Sequence, residues 1–298
     1  MLQGMEGKVA IVTGGGRGLG RAEAIELACQ GVRVVVNDFA PPGADNASDA
    51  VVAEITAAGG DAVASAGDVA DWDYAAALVQ IAVDRWGSLD ILVNNAGFLR
   101  DRVLANMSED EWDSVVRVHM KGHFCTMHHA AVHWRNKSKE IDGPVYGRIV
   151  NTTSEAGMLG SVGQINYAAA KAGIIAMTIS AAQQLVRYGV TVNAIAPRAR
   201  TAMTEGLGWA DALDGDFPVF APENVSPLVA YLASPAAAKV SGQVLIVWGR
   251  QISVVTGPSV ERQLEVADRW TPDTVADALT PVYDARTPIK DGYIIRYK

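Results

Sequence analysis

The chain reads as a doubly wound α/β protein built on a parallel sheet, one domain with a C-terminal extension. Three observations lead there. Short β-branched runs alternate with longer helical patterns over the first two-thirds of the sequence, as βαβ units do. Several of those runs are continuously apolar, as strands buried on both faces must be. The first run also passes through a glycine cluster directly into a helical pattern.

In order, the expected strands are 8–13, 33–37, 62–66, 89–94, 148–153, 190–195 and 244–247. Helices are expected over 19–29, 49–58, 73–86, 109–134, 164–188 and 223–233. Ser108 followed by Glu111 reads as a capping box opening the fourth helix. Gly31 and Gly189 fall where helix C-caps belong. Residues 1–250 form the expected catalytic domain, within which 198–222, rich in glycine and without periodicity, reads as a mobile substrate loop. Residues 251–298, punctuated by prolines 272, 281 and 288, read as an extension with one helix near 259–268.

Composition narrows the function classes. With 298 residues, 49% of them hydrophobic, the chain can bury a large core. A net charge of −8 argues against nucleic acid as a partner, because phosphate binding needs clustered Lys and Arg. No apolar stretch approaches a membrane span, and residues 1–7 lack the charged and apolar regions of a secretory leader. Cys29 and Cys125 are the only cysteines, which fits a reducing cytoplasm.

The first strand runs into Gly14-Gly15-Gly16-Arg17-Gly18-Leu19-Gly20. Glycines there let the backbone approach a pyrophosphate, and the helix N-terminus supplies N–H donors. The next strand ends at Asp38, 18 residues after Gly20. An acid at that point accepts from both adenosine ribose hydroxyls and repels a 2′-phosphate, which favours NAD. Arg17 cuts the other way, since a cation beside the ribose accommodates NADP.

Ser154 ends a strand, Tyr167 follows 13 residues later, and Lys171 lies four beyond Tyr167. On a helix, Tyr167 and Lys171 share one face. An ammonium beside a phenol draws its pKa down, which suits a general acid/base for a ketone–alcohol pair. The Ser154 hydroxyl orients the substrate oxygen. Singly, each has a plainer reading as a surface pair or a cap. With the glycine loop they form a set.

Thr13-Gly14…Gly18…Gly20, Asn94-Asn95-Ala96-Gly97, Ser154 and Tyr167…Lys171, in this order, resemble the short-chain dehydrogenase/reductase family over about residues 5–250. The resemblance implies a Rossmann-like sheet of seven parallel strands ordered 3-2-1-4-5-6-7. It implies Asp68 and Val69 against the adenine, Asn95, Ala96 and Gly97 beneath the cofactor, and Lys171 on the nicotinamide ribose. It also implies Pro197 and Thr201 as cofactor-binding residues. The two long helices usually pair between subunits in this family, so a homodimer or homotetramer is expected.

Two departures narrow the substrate. His119 stands where most members carry a helix asparagine that sustains a proton relay, and is read as a relay or water-binding residue. The usual Pro-Gly is Pro197-Arg198, with the gap to Thr201 one residue short. Both resemble the dehydrogenase region of the type-two peroxisomal multifunctional enzyme and its bacterial single-domain relatives. This implies NAD-dependent oxidation of (3R)-3-hydroxyacyl-CoA. Glu205, Asp211, Asp214 and Asp216 in the substrate loop suit an anionic CoA poorly, and Arg198 and Arg200 offset them only in part. A 17β-hydroxysteroid or other apolar secondary alcohol is therefore the alternative substrate. A further alternative, an NAD(H)-sensing protein without turnover, would not need Ser154, Tyr167 and Lys171. All five histidines fall between 119 and 133. Their i, i+4 spacings could hold a metal, but no acid or cysteine completes a site, so none is expected. Of the tryptophans, Trp209 and Trp270 are placed near substrate.

Overall fold

The computed structural model describes residues 1–41, 43–201, 217–284 and 286–287. Along the chain these fold as β1 (Val9–Thr13), α1 (Gly18–Cys29), β2 (Arg33–Asp38), α2 (Ala47–Ala57), β3 (Ala62–Ala66), α3 (Trp72–Trp86) and β4 (Ile91–Asn94). There follow α4 (Glu109–Val116), α5 (Gly122–Glu140), β5 (Gly147–Thr152), the single turn α6 (Ala156–Leu159), α7 (Ile165–Leu185) and β6 (Val190–Pro197). Then come α8 (Ser226–Ala233), β7 (Val244–Trp248), β8 (Gln251–Val254) and α9 (Pro272–Tyr283).

The sheet order is β3-β2-β1-β4-β5-β6-β7-β8. The first seven strands are parallel, and β8 adds an antiparallel edge that the sequence pattern did not announce. Its residues are mostly exposed, so β8 lacks the apolar run that betrays a buried strand. Every residue of β1 is buried, and successive side chains go to opposite faces. Ala10 and Val12 join a core with Leu27 of α1, Ile55 of α2 and Leu228 of α8. Val9 and Ile11 join the other, with Leu78 of α3, Trp134 of α5 and Leu185 of α7. Strand order reverses between β1 and β4, which opens a crevice at their carboxyl ends.

The capping box of Ser108 and Glu111 opens α4, and Gly31 and Gly189 adopt the left-handed conformation after their helices. The single helix expected over 109–134 is interrupted. Arg117–Lys121 forms a π-helical turn between α4 and α5, the kind of insertion that often re-aims a side chain at a functional site. α7 is long and apolar enough to cross a membrane by length and composition alone. Here it packs on the sheet and buries Asn166, Lys171 and Thr178.

The described chain divides into two compact units, Met1–Val255 and Thr256–Lys298. In the second, the helix is α9 rather than the segment near 259–268. Thr271 and Thr274 cap it reciprocally, and Pro272 takes the first turn, where a missing N–H costs nothing. Proline here starts a helix instead of breaking one. Residues 202–216 of the expected substrate loop, including Glu205, Trp209, Asp211, Asp214 and Asp216, lie outside the described residues, as does Pro288.

Candidate active site

The glycine loop closes on itself before it meets any ligand. Gly14 and Gly18 have positive φ, which glycine alone adopts without strain. A Cβ on Gly14 would sit 2.8 Å from the Ala96 Cα, and one on Gly20 would collide with the Gly14 carbonyl. Asn95 fastens the turn: its amide donates to Thr13 O (3.2 Å) and Gly14 O (3.1 Å). Asp38 accepts from Gly16 N at 3.0 Å and from Phe39 N at 2.7 Å, which leaves further lone pairs on the carboxylate for hydroxyl donors.

Above this loop lies a cavity of about 740 Å³. Gly14, Arg17, Gly18, Leu19, Asp38, Asp68, Val69, Asn95, Ala96, Gly97 and Thr201 all line it. Gly20 does not, its part being to let α1 pack against the turn. Asp68 is held by Arg117 (2.7 Å) from the π-helical turn and by Ala70 N (2.8 Å). A backbone cradle without Cβ atoms, a helix N-terminus and an acid at the end of β2 fit a dinucleotide.

A second cavity, about 500 Å³, shares Leu19, Asn95, Gly97 and Thr201 with the first. Ser154, Tyr167, Lys171, His119 and Pro197 line it together. Ser154 follows β5, whereas Tyr167 and Lys171 occupy successive turns of α7. The Ser154 and Tyr167 side chains are hydrogen-bonded. Lys171 is buried, donates to Thr152 O at 2.6 Å, and lies 5.4 Å from the Tyr167 ring centroid. Burial pushes the phenol up to about 12 and brings the ammonium down to about 7. Among the protein's own groups, then, the lysine does not draw the phenol down as expected. Desolvation of both groups dominates.

His119 is buried and meets the Tyr167 ring edge-on, centroids 5.2 Å apart. Its Nε2 lies 2.8 Å from Phe98 O and 3.1 Å from Phe98 N, so the backbone of one residue serves either tautomer. The ring fits because Gly97 has no Cβ; one there would overlap it. Burial holds this imidazole well below its usual range, hence neutral.

Several residues escaped the sequence reading. Asn166, fully buried, donates to Arg100 O (3.0 Å) and Glu111 O (2.8 Å) and accepts from Tyr167 N (2.8 Å). It ties the start of α7 to two other segments. Glu155 and Arg198 form a bidentate pair across the cavity (2.5 and 2.7 Å). Arg198 itself was named from the sequence, as the replacement of glycine after Pro197 and as a partial offset to the acidic loop; its partner Glu155 was not. The Arg198 guanidinium lies 5.0 Å from the Trp248 ring centroid, and Trp248 stacks on Phe220. Among the described residues Trp248 lines this cavity, a tryptophan that the sequence reading did not single out. Trp209 lies outside the described residues, and Trp270 belongs to the Thr256–Lys298 unit. Among the described residues, no three His, Cys, Asp or Glu side chains group as metal ligands.

Residues 8–209 match the family model for short chain dehydrogenase. This chain belongs to the short-chain dehydrogenase family. It is an oxidoreductase of that family, acting on CH–OH groups with a nicotinamide cofactor. It is 51% identical to the hydroxyacyl-CoA dehydrogenase ChsB1 of Mycobacterium tuberculosis, over 95% of this chain and 91% of that one. It is 38% identical to the peroxisomal multifunctional enzyme type 2 of Drosophila melanogaster, over 94% of this chain and 46% of that protein. A solved short chain dehydrogenase from Mycobacterium avium superposes with a TM-score of 0.83 at 50% identity, covering 93% of this chain and 95% of that one.

Proposed function

We propose that this enzyme oxidises (3R)-3-hydroxyacyl-CoA thioesters to 3-oxoacyl-CoA with NAD. The carrying observation is that Ser154, Tyr167 and the buried Lys171 line one cavity, which shares Leu19, Asn95, Gly97 and Thr201 with the nucleotide cavity. The substrate class rests on the hydroxyacyl-CoA dehydrogenase that matches the chain nearly end to end.

In this reading the substrate hydroxyl sits between Ser154 and Tyr167. Ser154 holds the oxygen, and Tyr167, as its phenolate, takes the hydroxyl proton as C3 gives up a hydride. The oxidised nicotinamide supplies the hydride acceptor and a positive charge in the same cavity. Lys171 holds the nicotinamide ribose and offsets the negative charge of the Tyr167 phenolate, which the incoming proton neutralises. His119, whose Nδ1 has no protein partner and whose tautomers are both served by Phe98, passes the proton onward. Asp38 at the adenosine end supports NAD over NADP, because its carboxylate would repel a 2′-phosphate. The stacked pair of Phe220 and Trp248 favours one second reading, an apolar secondary alcohol such as a 17β-hydroxysteroid.

NADH formation by absorbance tests both, with matched (3R)- and (3S)-hydroxyacyl-CoA and a 17β-hydroxysteroid, each with NAD and NADP. Turnover of the (3R) thioester with NAD, reduced by about 10³ in Tyr167→Phe, is expected. Turnover of the steroid alone would overturn the thioester assignment, and a preference for NADP would overturn the role of Asp38.

A further inference from the structure

His123, which no motif includes, takes a role that rests on those of Tyr167 and Lys171 above. His123 lies in the first turn of α5, four residues beyond His119, and is 2% exposed. Its ring hydrogen-bonds to the backbone of His119 and of Asn94, while Nε2 has no partner. The donor in those bonds is therefore Nδ1–H, and Nε2 presents a bare lone pair in a dry interior. Burial drives the ring down to about 3, so that lone pair persists at every working pH. An acceptor left unserved in such surroundings is costly.

The nearby charge is Lys171, whose ammonium acts electrostatically on both His119 and His123. It has three N–H donors, one of which goes to Thr152 O. Thr152 Oγ1 and His119 Nδ1 are also buried without partners. The other titratable or charged groups around Lys171 are Tyr167 on its own helix, His119 on the π-helical turn, and the Glu155–Arg198 pair across the cavity.

We propose that His123 is a positioning residue for Lys171: its Nε2 lone pair accepts from the ammonium through one buried water and keeps that charge seated beside Tyr167. Buried waters commonly serve polar atoms that no protein group reaches. With the acceptor gone, Lys171 sheds its proton more readily and loses its hold on the ribose at lower pH.

The test is the pH dependence of affinity for the reduced nicotinamide cofactor that the wild type binds, followed by fluorescence in wild type, H123F, H123N and H123Q. Glutamine carries an acceptor to the place of Nε2, and asparagine stops short of it. H123F and H123N should lose affinity about one pH unit below wild type, a deficit of about tenfold on the alkaline side, while H123Q follows wild type. Four superimposed profiles would overturn the proposal, as would H123Q shifting as far as H123N. If H123F does not fold, the comparison of asparagine with glutamine decides alone. Cofactor binding needs no substrate, so an inactive wild type on thioesters would sink the substrate reading and leave this result standing.

Discussion

The nucleotide cavity and the catalytic cavity share a wall but draw on different parts of the chain. The first is made largely of backbone: Gly14, Gly18 and Gly20 fold a turn whose own carbonyls and N–H groups are tied down by Asn95 and Asp38. The second is made of side chains taken out of water, with Tyr167 pushed up to about 12 and Lys171 brought down to about 7. Binding a pyrophosphate requires donors that are in place and close, so what matters is the absence of Cβ atoms. Moving a proton requires groups whose charge states are poised against each other, so what matters is burial and neighbours.

The comparison can be broken from either side. Gly20→Ala places a methyl against the Gly14 carbonyl, with the Asn95 amide 2.5 Å away. We expect cofactor affinity to fall by about 100-fold, measured by calorimetric titration, with the melting temperature lowered as well. Unchanged affinity would mean that the turn tolerates the methyl and the backbone account is wrong.

Glu23 sharpens the contrast, because it is the buried titratable side chain in the nucleotide half with no task there. It sits on α1, fully buried, both oxygens without partners, and burial raises it to about 8. The native carboxyl keeps its proton up to that pH, whereas the unfolded one, at its ordinary 4.5, releases it earlier. The unfolded state then binds fewer protons, so stability falls as pH rises between those values. Glu23→Gln should remove that fall and stabilise the protein above pH 8 by on the order of 4 kcal/mol. Urea denaturation at pH 5 and pH 9 checks it; equal gains at both would assign the effect to packing instead.

The smallest effect is expected at Asn166. Asn166→Ala frees the start of α7 from Arg100 O and Glu111 O. Turnover should fall about tenfold through misplacement of Tyr167, with cofactor affinity held. A loss of cofactor affinity equal to the loss of turnover would show that the two cavities are not separable in this way.

Much of this was legible in the residues. The seven parallel strands follow from apolar runs such as Val9–Thr13, and the glycine loop, Asp38, Ser154, Tyr167 and Lys171 from their spacing. The antiparallel β8 was not, since an exposed edge strand carries no apolar signature. The helix of the tail was misplaced because Pro272, which opens its first turn, looked like a breaker. The π-helical turn at Arg117–Lys121 left no mark in the periodicity, though it carries His119.

What the sequence determined by itself is whatever depends on local chemistry: which runs are strands, where glycine is required, and which residue types stand at the ends of strands. The tertiary structure alone decided which groups lose their water. Burial of Glu23, His119, His123 and Lys171 arises from segments distant in the chain closing over them, and desolvation depends on all of those segments at once. For that reason the charge states of this site, and the partners that Asn166 and Arg198 find, could be read only from the folded molecule.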